Sequence, residues 1–407
     1  MNHPDKKIAK RYDTPGRCAK FTDIVYSGAS QSPEVLWEQI AHTRRSFDPP
    51  APELKPFVGE MHGHTDLSDG KPDIDTYFRN LRDIARLDFA ALTDHDHGGV
   101  GKPELWVGDP SKWDLIRQKV REYCVPGKFS TILAYERDSY PFYNNLVLYF
   151  ADHSAELIRG ERDGELTEAE LRAILAREDV IAVPHDTYSL SSNTDFTAIP
   201  NDLITPFIEI ISRGDAAEYM DNPAFSPSSC CDGGFWQDAL RKGAHVGVIG
   251  GSDDHSGHGG QVLESKGYPD MYPGVTGVWA EENTPAAIFA ALRARRTYAF
   301  MLGKPDGAMG GRMEIDFRIN GHWMGQTIAR PTDGTLAIWF SVAADTRVKR
   351  VTLVKNCKNY ISLRASADLI FDYDQQTPED CFYLRVELAD GRFGWTSPIW
   401  VTLASAV

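Results

Sequence analysis

Several patterns that define other classes of protein are scarce or missing in this chain. Its 407 residues contain six cysteines and no Cys-x-x-Cys pair, which argues against a disulfide framework or a cysteine-ligated zinc finger. No apolar run approaches the roughly 18 residues that a bilayer-spanning helix needs. The polar N-terminal segment also lacks the apolar stretch of a secretory signal. These absences predict a cytoplasmic protein with reduced thiols and no membrane partner.

Positive charge is also in short supply. The 43 lysines and arginines are outnumbered by 58 aspartates and glutamates, which gives a formal net charge of −15. Phosphate backbones select for basic surfaces, so neither a nucleic-acid partner nor a DNA exonuclease activity is favoured. A hydrophobic share of 42% and a charged share of 25% are ordinary for a globular protein. We therefore expect a small-molecule substrate, while the oligomeric state is left open.

The most informative stretch runs from Phe57 to Gly70. It reads as a short apolar strand followed by His62 and His64, one residue apart, and a polar turn that carries Asp69. Residues i and i+2 of a strand point to the same face, so the two imidazoles can bind one ion while Asp69 reaches toward a neighbouring one. A lone His-x-His pair is weak evidence, because surface strands carry such pairs by chance.

Further apolar strands alternate with helices and end in similar residues. These strand ends are Thr93-Asp94-His95-Asp96, Glu136, Pro184-His185 and Gly251-Ser252-Asp253-Asp254-His255. The alternation predicts an α/β fold with a parallel sheet covered on both faces. A closed TIM-like (β/α) barrel gathers such residues at one mouth, and the number of contributing strands favours it over an open doubly wound sheet.

The character of the chain divides it into three parts. Residues 1–56 are predicted to form an N-terminal arm and residues 57–309 the barrel. From residue 310 to residue 407, short alternating strands are separated by turns such as Asn320-Gly321 and Asp390-Gly391. This pattern predicts a small antiparallel β-sandwich-like C-terminal domain.

Eight strand-end residues are candidate metal ligands, and each carries an imidazole or a carboxylate. They are His62, His64, Asp69, His95, Glu136, His185, Asp253 and His255. Mixed nitrogen and oxygen ligands suit Zn²⁺, Mn²⁺ or Fe²⁺ held for catalysis, and they leave room for a water molecule. Eight ligands suit two to three divalent ions, with Glu136 as the natural bridge. Singly, each residue could equally be a helix cap, a core histidine or half of a salt bridge, but their joint occurrence favours a metal site.

Four other residues are candidates for binding substrate. Arg137 and Arg213 each lie at a strand end and could bind an anionic group such as phosphate, although a surface or salt-bridging role is about as probable from sequence alone. His97 and His258 lie in the loops that carry ligands, so we expect them to contact substrate.

The ordered motifs resemble those of the polymerase and histidinol phosphatase (PHP) superfamily. The matching motifs are His62-Gly63-His64-Thr65 with Ser68-Asp69-Gly70, Thr93-Asp94-His95-Asp96, Glu136, Pro184-His185 and Gly251-Ser252-Asp253-Asp254-His255. The resemblance spans roughly residues 57–260. Beyond it, the segments 291–299, 319–321 with His322, and 395–401 look like the C-terminal part of the CehA/McbA-like subgroup of metallohydrolases.

The resemblance implies a distorted seven-stranded (β/α) barrel with a cluster of up to three ions. The first ion would be held by His62, His64, Glu136 and Asp253, and the second by Asp69, His95 and His255. A third would take Glu136, His185 and a histidine a few residues after Glu136. The sequence departs from the family there, because Tyr143 or Asn144 occupies that place and neither is a strong ligand. His185 is then expected to act as a third-site ligand or as a general acid.

The function implied is a metal-dependent hydrolase with Glu136 and His185 in catalytic roles. A phosphoesterase that uses a metal-bridging hydroxide on a small phosphorylated substrate is favoured. The subgroup resemblance keeps open a second activity, hydrolysis of a carboxylic ester, carbamate or amide. A third possibility is a non-catalytic metal-binding or regulatory module, against which the near-complete ligand set argues.

Overall fold

A computed structural model describes most of the chain beyond the predicted N-terminal arm. The described residues are 7–8, 24–26, 54–96, 107–138, 142–158, 167–189, 194–212, 215–224, 232–262, 272–306, 308–332, 334–363, 367–373, 375 and 377–403. Two of the predicted substrate contacts, His97 and Arg213, lie outside them.

Short helices flank the strands of the first two thirds of the chain. The α-helices of the described residues are α1 (Ile74–Arg79), α2 (Pro110–Tyr123), α3 (Glu168–Leu175), α4 (Trp236–Arg241) and α5 (Pro285–Arg293). A π-helical segment, Asn80–Ile84, continues α1, and a 3-10 turn covers Asn201–Leu203. Polar side chains begin most of the α-helices: for example, Asp73 accepts a hydrogen bond from the backbone of Thr76, and Thr167 and Glu170 form a capping box at α3.

The strands are short and numerous. Those before residue 310 are β1 (Lys7–Ile8), β2 (Ile24–Tyr26), β3 (Lys55–Glu60), β4 (Phe89–Leu92), β5 (Ser130–Asp138), β6 (Asn145–Phe150), β7 (Val180–Pro184), β8 (Phe207–Ser212), β9 (Asp215–Ala216), β10 (Gly247–Gly250), β11 (Gly274–Ala280) and β12 (Thr297–Met301). Those after it are β13 (Met313–Ile319), β14 (His322–Trp323), β15 (Thr327–Ala329), β16 (Thr335–Ala344), β17 (Val348–Lys355), β18 (Lys358–Leu363), β19 (Ala367–Asp372), β20 (Glu379–Leu388), β21 (Phe393–Thr396) and β22 (Ile399–Thr402).

These strands form three hydrogen-bonded sheets among the described residues. The largest has 15 strands and runs in the order β1-β2-β18-β17-β20-β21-β12-β11-β3-β4-β5-β6-β7, with β22 paired to β20 and β15. A second sheet has the order β10-β8-β9, and a third has the order β14-β13-β16-β19. The expectation of an α/β fold is confirmed at this level, since a large central sheet carries a few helices.

The sheet is mixed rather than parallel, which differs from the prediction. The pairs β3-β4 and β4-β5 of the large sheet are parallel, and so is the pair β8-β10 of the second sheet. The pairs β5-β6, β6-β7 and β3-β11 are antiparallel. Only residues 139–144 separate β5 from β6, a connection too short for the crossover that parallel neighbours need, so β6 must run back beside β5.

A closed seven-stranded barrel is not confirmed by the hydrogen-bonding pattern. Strand β8 lies beside β7, and β10 lies beside β11, but β8 and β10 belong to a separate ladder within the described residues. The barrel remains a prediction.

Residues beyond 310 form mainly antiparallel pairs. Strand β13 pairs antiparallel with β14 and β16, and β17 pairs antiparallel with β18 and β20. The large sheet continues without interruption from β20 through β21, β12 and β11 to β3. One sheet therefore spans the boundary predicted at residue 310, and the division into domains stays a prediction.

The strands that lead to the predicted ligands are buried on both faces. One face of β4 to β7 packs into an inner cluster through Phe89, Ala91, Ile132, Ala134, Val147, Tyr149, Ile181 and Val183. The other face joins the larger core through Ala90, Leu92, Leu133, Tyr135, Leu146, Leu148, Val180 and Ala182. This burial explains why the strands read as continuous apolar runs, and it fixes the strand ends from which the polar residues project.

Candidate metal centre

The eight predicted ligands converge at one end of the parallel strands. Asp69, His62 and His64 follow β3, His95 follows β4, Glu136 lies in β5, His185 follows β7, and Asp253 and His255 follow β10. Their ligand atoms, together with those of Asp186, form three groups that could each hold a metal ion. The structure brings all eight predicted ligands together, while their roles as ligands remain predictions.

One group contains His62, His64 and Glu136, and the Asp253 carboxylate lies against it. The Nε2 atoms of the two histidines lie 3.2 Å apart. The Glu136 Oε2 atom lies 3.1 Å from Nε2 of His62 and 3.2 Å from Nε2 of His64. The Asp253 Oδ1 atom lies 3.6 and 3.1 Å from the same two nitrogens.

These separations match the edges of a small coordination polyhedron. Ligands about 2.0–2.1 Å from a tetrahedral Zn²⁺ lie about 3.4 Å from one another, and the measured separations scatter around that value. All four side chains are buried, and nitrogen lone pairs facing carboxylate oxygens are the donor set that such an ion requires. The residues present therefore fit a divalent metal ion.

A second, looser group surrounds Asp69. Its Oδ1 atom lies 3.3 Å from Nε2 of His255, 3.9 Å from Nε2 of His95 and 3.7 Å from Nδ1 of His64. The Glu136 Oε2 atom lies 3.5 Å from His95 Nε2, so this carboxylate faces both groups, as a bridging residue must. His64 also faces both groups, whereas the sequence assigned it to the first alone.

His185 stands on the other side of Glu136. Its Nε2 atom lies 2.5 Å from Glu136 Oε1 and 3.0 Å from the Asn145 side-chain nitrogen. The hydroxyl of Tyr143 instead donates to the Leu203 carbonyl at 3.1 Å. Asn145, rather than Tyr143 or Asn144, therefore contacts His185.

Asp186 was not predicted as a ligand, yet it joins His185 and Asp253 in the third group. Asp186 and Asp253 both have left-handed backbones, with φ of 48° and 49°. Aspartate adopts this region more readily than most residues, and such conformations concentrate at functional sites. Two left-handed aspartates beside His185 thus mark where the strand ends turn toward the centre.

Two buried carboxylates behind His62 were also missed. Glu209 Oε2 lies 2.8 Å from His62 Nδ1, which leaves Nε2 directed at the ligand group. Glu60 Oε1 accepts hydrogen bonds from the backbones of His62 and Ser252 at 3.0 and 2.9 Å. A carboxylate that holds the far nitrogen of a ligand histidine fixes its tautomer and orientation. The signal in the sequence was a lone acidic residue in each of two apolar strands.

Backbone contacts hold the loops of the centre in place. Asp253 donates its backbone N–H to the His62 carbonyl at 2.9 Å, and His64 donates to the Asp254 carbonyl at 2.9 Å. A Cβ atom at Gly251 would lie 2.4 Å from the Cβ of His62, so only glycine allows this approach. The loop after β10 is therefore fixed against the loop after β3.

The carboxylates shift the protonation of the histidines strongly. Burial disfavours a charged His64, but the hydrogen bonds that its ring donates to Asp253 and Glu136 raise the pKa of His64 to about 9. Burial also opposes charge on His185, yet Glu136 raises the pKa of His185 to about 9. Burial would raise the pKa of Asp69, but the neighbouring imidazoles lower it to about 2. Without metal, protonated His64 and His185 are therefore expected beside ionised Asp69 near neutral pH.

We expect metal binding to release protons. An imidazole must be neutral to bind a metal ion. Neutral pH lies below the pKa of about 9 of both His64 and His185, so both imidazoles carry an extra proton there. Metal affinity should therefore rise as pH rises toward about 9 and level off above it. Calorimetric titration in buffers of different ionisation enthalpy measures the protons released. An affinity that does not change between about pH 6 and pH 8 would contradict this protonation scheme.

Two of the four predicted substrate contacts, Arg137 and His258, lie among the described residues. Arg137 is buried, and it donates to Asp96 at 3.1 Å and to the Ile158 carbonyl at 2.7 Å. His258 is exposed, with its Nδ1 2.9 Å from the hydroxyl of Ser256. The structure says nothing about His97 and Arg213, so substrate contacts by all four stay predictions.

Comparisons with known proteins do not assign a family. No family model matches the sequence. An uncharacterized protein of Chlamydia pneumoniae is 24% identical over 385 residues, which cover 88% of this chain and 59% of that protein. The chain thus spans about three fifths of the length of this relative.

Two solved structures show weak likeness. One, from Bacteroides vulgatus, is named as a two-domain protein containing a predicted PHP-like metal-dependent phosphoesterase; it has a TM-score of 0.43 at 16% identity and covers 86% of this chain and 96% of that one. The other is an engineered protein with a TM-score of 0.21 at 13% identity, covering 81% of this chain and 52% of that one. Likeness at this level assigns neither fold nor activity, so the residues of the centre carry the functional argument. Among the described residues, no helix is long and apolar enough to cross a membrane.

Proposed function

We propose that this chain is a metal-dependent hydrolase of the PHP type that acts on a small-molecule substrate. The observation that carries the proposal is the convergence of five histidines with Asp69, Glu136 and Asp253 around shared atoms. In a purely structural salt-bridge network, each carboxylate pairs with one or two cations. In this protein, the single carboxylate of Glu136 faces four imidazoles. We propose two to three divalent ions, zinc, manganese or iron, as the occupants.

Bound ions of this kind lower the pKa of water and polarise a P=O or C=O group. The chain's own residues would do the remaining work. Glu136 would face the first two groups of ligands through Oε2 and His185 through Oε1. His185, whose Nε2 faces Glu136, would either bind a third ion together with Asp186 or give a proton to the leaving group. Glu209 would hold His62 in the correct tautomer.

We propose a phosphoester as the first substrate class, with a carboxylic ester, carbamate or amide as the second candidate. One observation favours the second candidate. Arg137 was predicted to bind phosphate, but its guanidinium donates hydrogen bonds to Asp96 and to the Ile158 carbonyl. Metal ions themselves can neutralise a phosphate, so this observation does not displace the first. Membership of the CehA/McbA-like subgroup would favour attack at carbon.

The finer points of the fold belong to the same proposal. We infer that the distorted seven-stranded barrel of the PHP type is built from among the eight strands β3 to β8, β10 and β11. Support comes from the places where β8 lies beside β7 and β10 lies beside β11, which would complete the ring. The C-terminal strands from β13 onward would form the accompanying β-rich domain.

Replacing His62 with alanine is the direct test of the first site. The His62→Ala variant should lose metal and at least about a hundredfold of hydrolytic activity, since even outer partners of metal ligands are worth 10–100-fold. Metal content is measured by elemental analysis, and hydrolysis is measured with aryl phosphate, aryl ester and aryl carbamate substrates, with and without chelator. The exposed His322 in β14 provides a matched control as His322→Ala.

The outcomes separate the candidate functions. Chelator-sensitive turnover of one substrate class identifies the bond attacked. Bound metal with no turnover of any class, under varied Zn²⁺, Mn²⁺ and Fe²⁺, would favour the non-catalytic module instead. Unchanged metal content and activity in His62→Ala would count against the proposed first site.

A further inference from the structure

A cavity of about 460 Å³ lies at the other end of the strands from the metal centre. Its wall includes Thr205 and Pro206, which precede β8, and Ala244 to Val246, which precede β10. The candidate ligands follow the opposite ends of β7 and β10. A five-residue strand such as β7 spans roughly 16 Å, so the cavity is distinct from the centre. Its volume falls within the range of small-molecule pockets.

Arg295 is the charged side chain in this wall that is best placed to bind a ligand. It follows the end of α5 with a φ of 52°, a left-handed conformation in which glycine is the usual residue. Its guanidinium lies 5.4 Å from the centre of the Trp400 ring, and its Nε contacts the Gly325 carbonyl at 3.4 Å. No carboxylate among the described residues pairs with it, and burial together with Arg293 lowers the pKa of Arg295.

The other charged groups of the wall have partners. Arg293 pairs with Glu178 at 2.6 Å, and Asp202 pairs with Arg172 at 2.6 Å. His245, whose ring stacks on the ring of Trp400, pairs with Glu379 at 2.8 Å. The cavity therefore retains a positive group at Arg295, and its wall of mixed polarity includes apolar side chains such as Ile181, Ile204 and Phe207.

We propose that this cavity binds a small organic oxyanion, a carboxylate or phosphate on an apolar body. The oxyanion would accept a forked pair of hydrogen bonds from Arg295, and the body would lie against Ile181, Ile204 and Phe207. A guanidinium is suited to this task, because its planar donors match both oxyanions. The proposal does not depend on the reaction at the metal centre.

The test uses the full-length chain with two probes, benzoate and phenylphosphonate, in calorimetric titrations. We expect at least one probe to bind, and the tighter probe identifies the preferred oxyanion. Arg295→Gln, which keeps the first methylene groups of the side chain but removes the guanidinium, should weaken binding by at least about tenfold, the value of a charge-assisted hydrogen bond. The exposed Arg241 of α4 lies outside the cavity wall, so Arg241→Gln is the matched control.

Two further variants make the result decisive. Ala244→Phe fills the cavity without touching the charge, and it should also abolish binding, which covers the case in which Arg295→Gln does not fold. His62→Ala should leave probe binding unchanged. Binding lost in His62→Ala but kept in Arg295→Gln would place the anion at the metal centre and overturn the proposal. Absence of binding for both probes would overturn it as well.

Discussion

The Glu136→Gln variant is expected to lose metal ions from both main groups of ligands, and hydrolysis with them. One oxygen of Glu136 lies within 3.5 Å of His62, His64 and His95, and the other lies 2.5 Å from His185. The amide keeps the size of the side chain but removes the charge that would bind two cations. We expect at least about a hundredfold loss of activity, together with a fall in metal content.

The control for Glu136→Gln is the same substitution at a surface carboxylate. Glu122 lies on the exposed side of α2, where it pairs with Lys119 at 3.1 Å, and Glu122→Gln should match the unmodified protein in metal content and rate. Elemental analysis and rates with added metal are compared for the two variants. If Glu136→Gln retained its full complement of ions, Glu136 would not be a bridging ligand.

The second large effect concerns stability rather than chemistry. Glu218, fully buried after β9, accepts hydrogen bonds from the Tyr383 hydroxyl at 2.6 Å, from Arg385 at 2.8 Å and from the Trp395 indole at 2.8 Å. Glu218→Ala removes the acceptor from all three and leaves the Arg385 charge buried. Breaking a buried pair in this way costs about 3–5 kcal/mol of the free energy of unfolding.

Urea unfolding followed by tryptophan fluorescence measures that loss. The control is Asp202→Ala, which breaks a fully exposed pair with Arg172 and should leave the free energy of unfolding nearly unchanged. A loss below about 1 kcal/mol for Glu218→Ala would mean that the network adds little to stability.

The convergence of the eight candidate ligands could be predicted because the underlying rule is local. A polar residue just past the end of an apolar strand lies at the edge where neighbouring parallel strands also end. His62, His95 and Asp253 obey this rule although they are far apart in sequence. Their assignment to individual ions could not be predicted to the same depth, because the position of His64 between two groups depends on side-chain directions in three dimensions.

Other features required information that the sequence pattern does not carry. The return of β6 beside β5 places Asn145 next to His185, whereas a family spacing alone pointed to Tyr143 or Asn144. The direction of the Arg137 side chain follows from strand geometry. Neighbouring side chains in a strand face opposite sides, so if Glu136 points toward the centre, Arg137 points away from it. Glu60 and Glu209 were overlooked because each is a lone acid within an apolar strand, without a motif.

The continuous sheet across residue 310 has a consequence for how the chain can be divided. Strand β12 pairs with β11 on one side and with β21 on the other. A chain ending after β12 would leave that strand with a row of unpaired N–H and C=O groups along an apolar edge, a template for pairing with further copies. The shortened chain would therefore be expected to aggregate, and the C-terminal strands act as an intramolecular edge cover for the sheet that carries the candidate metal centre.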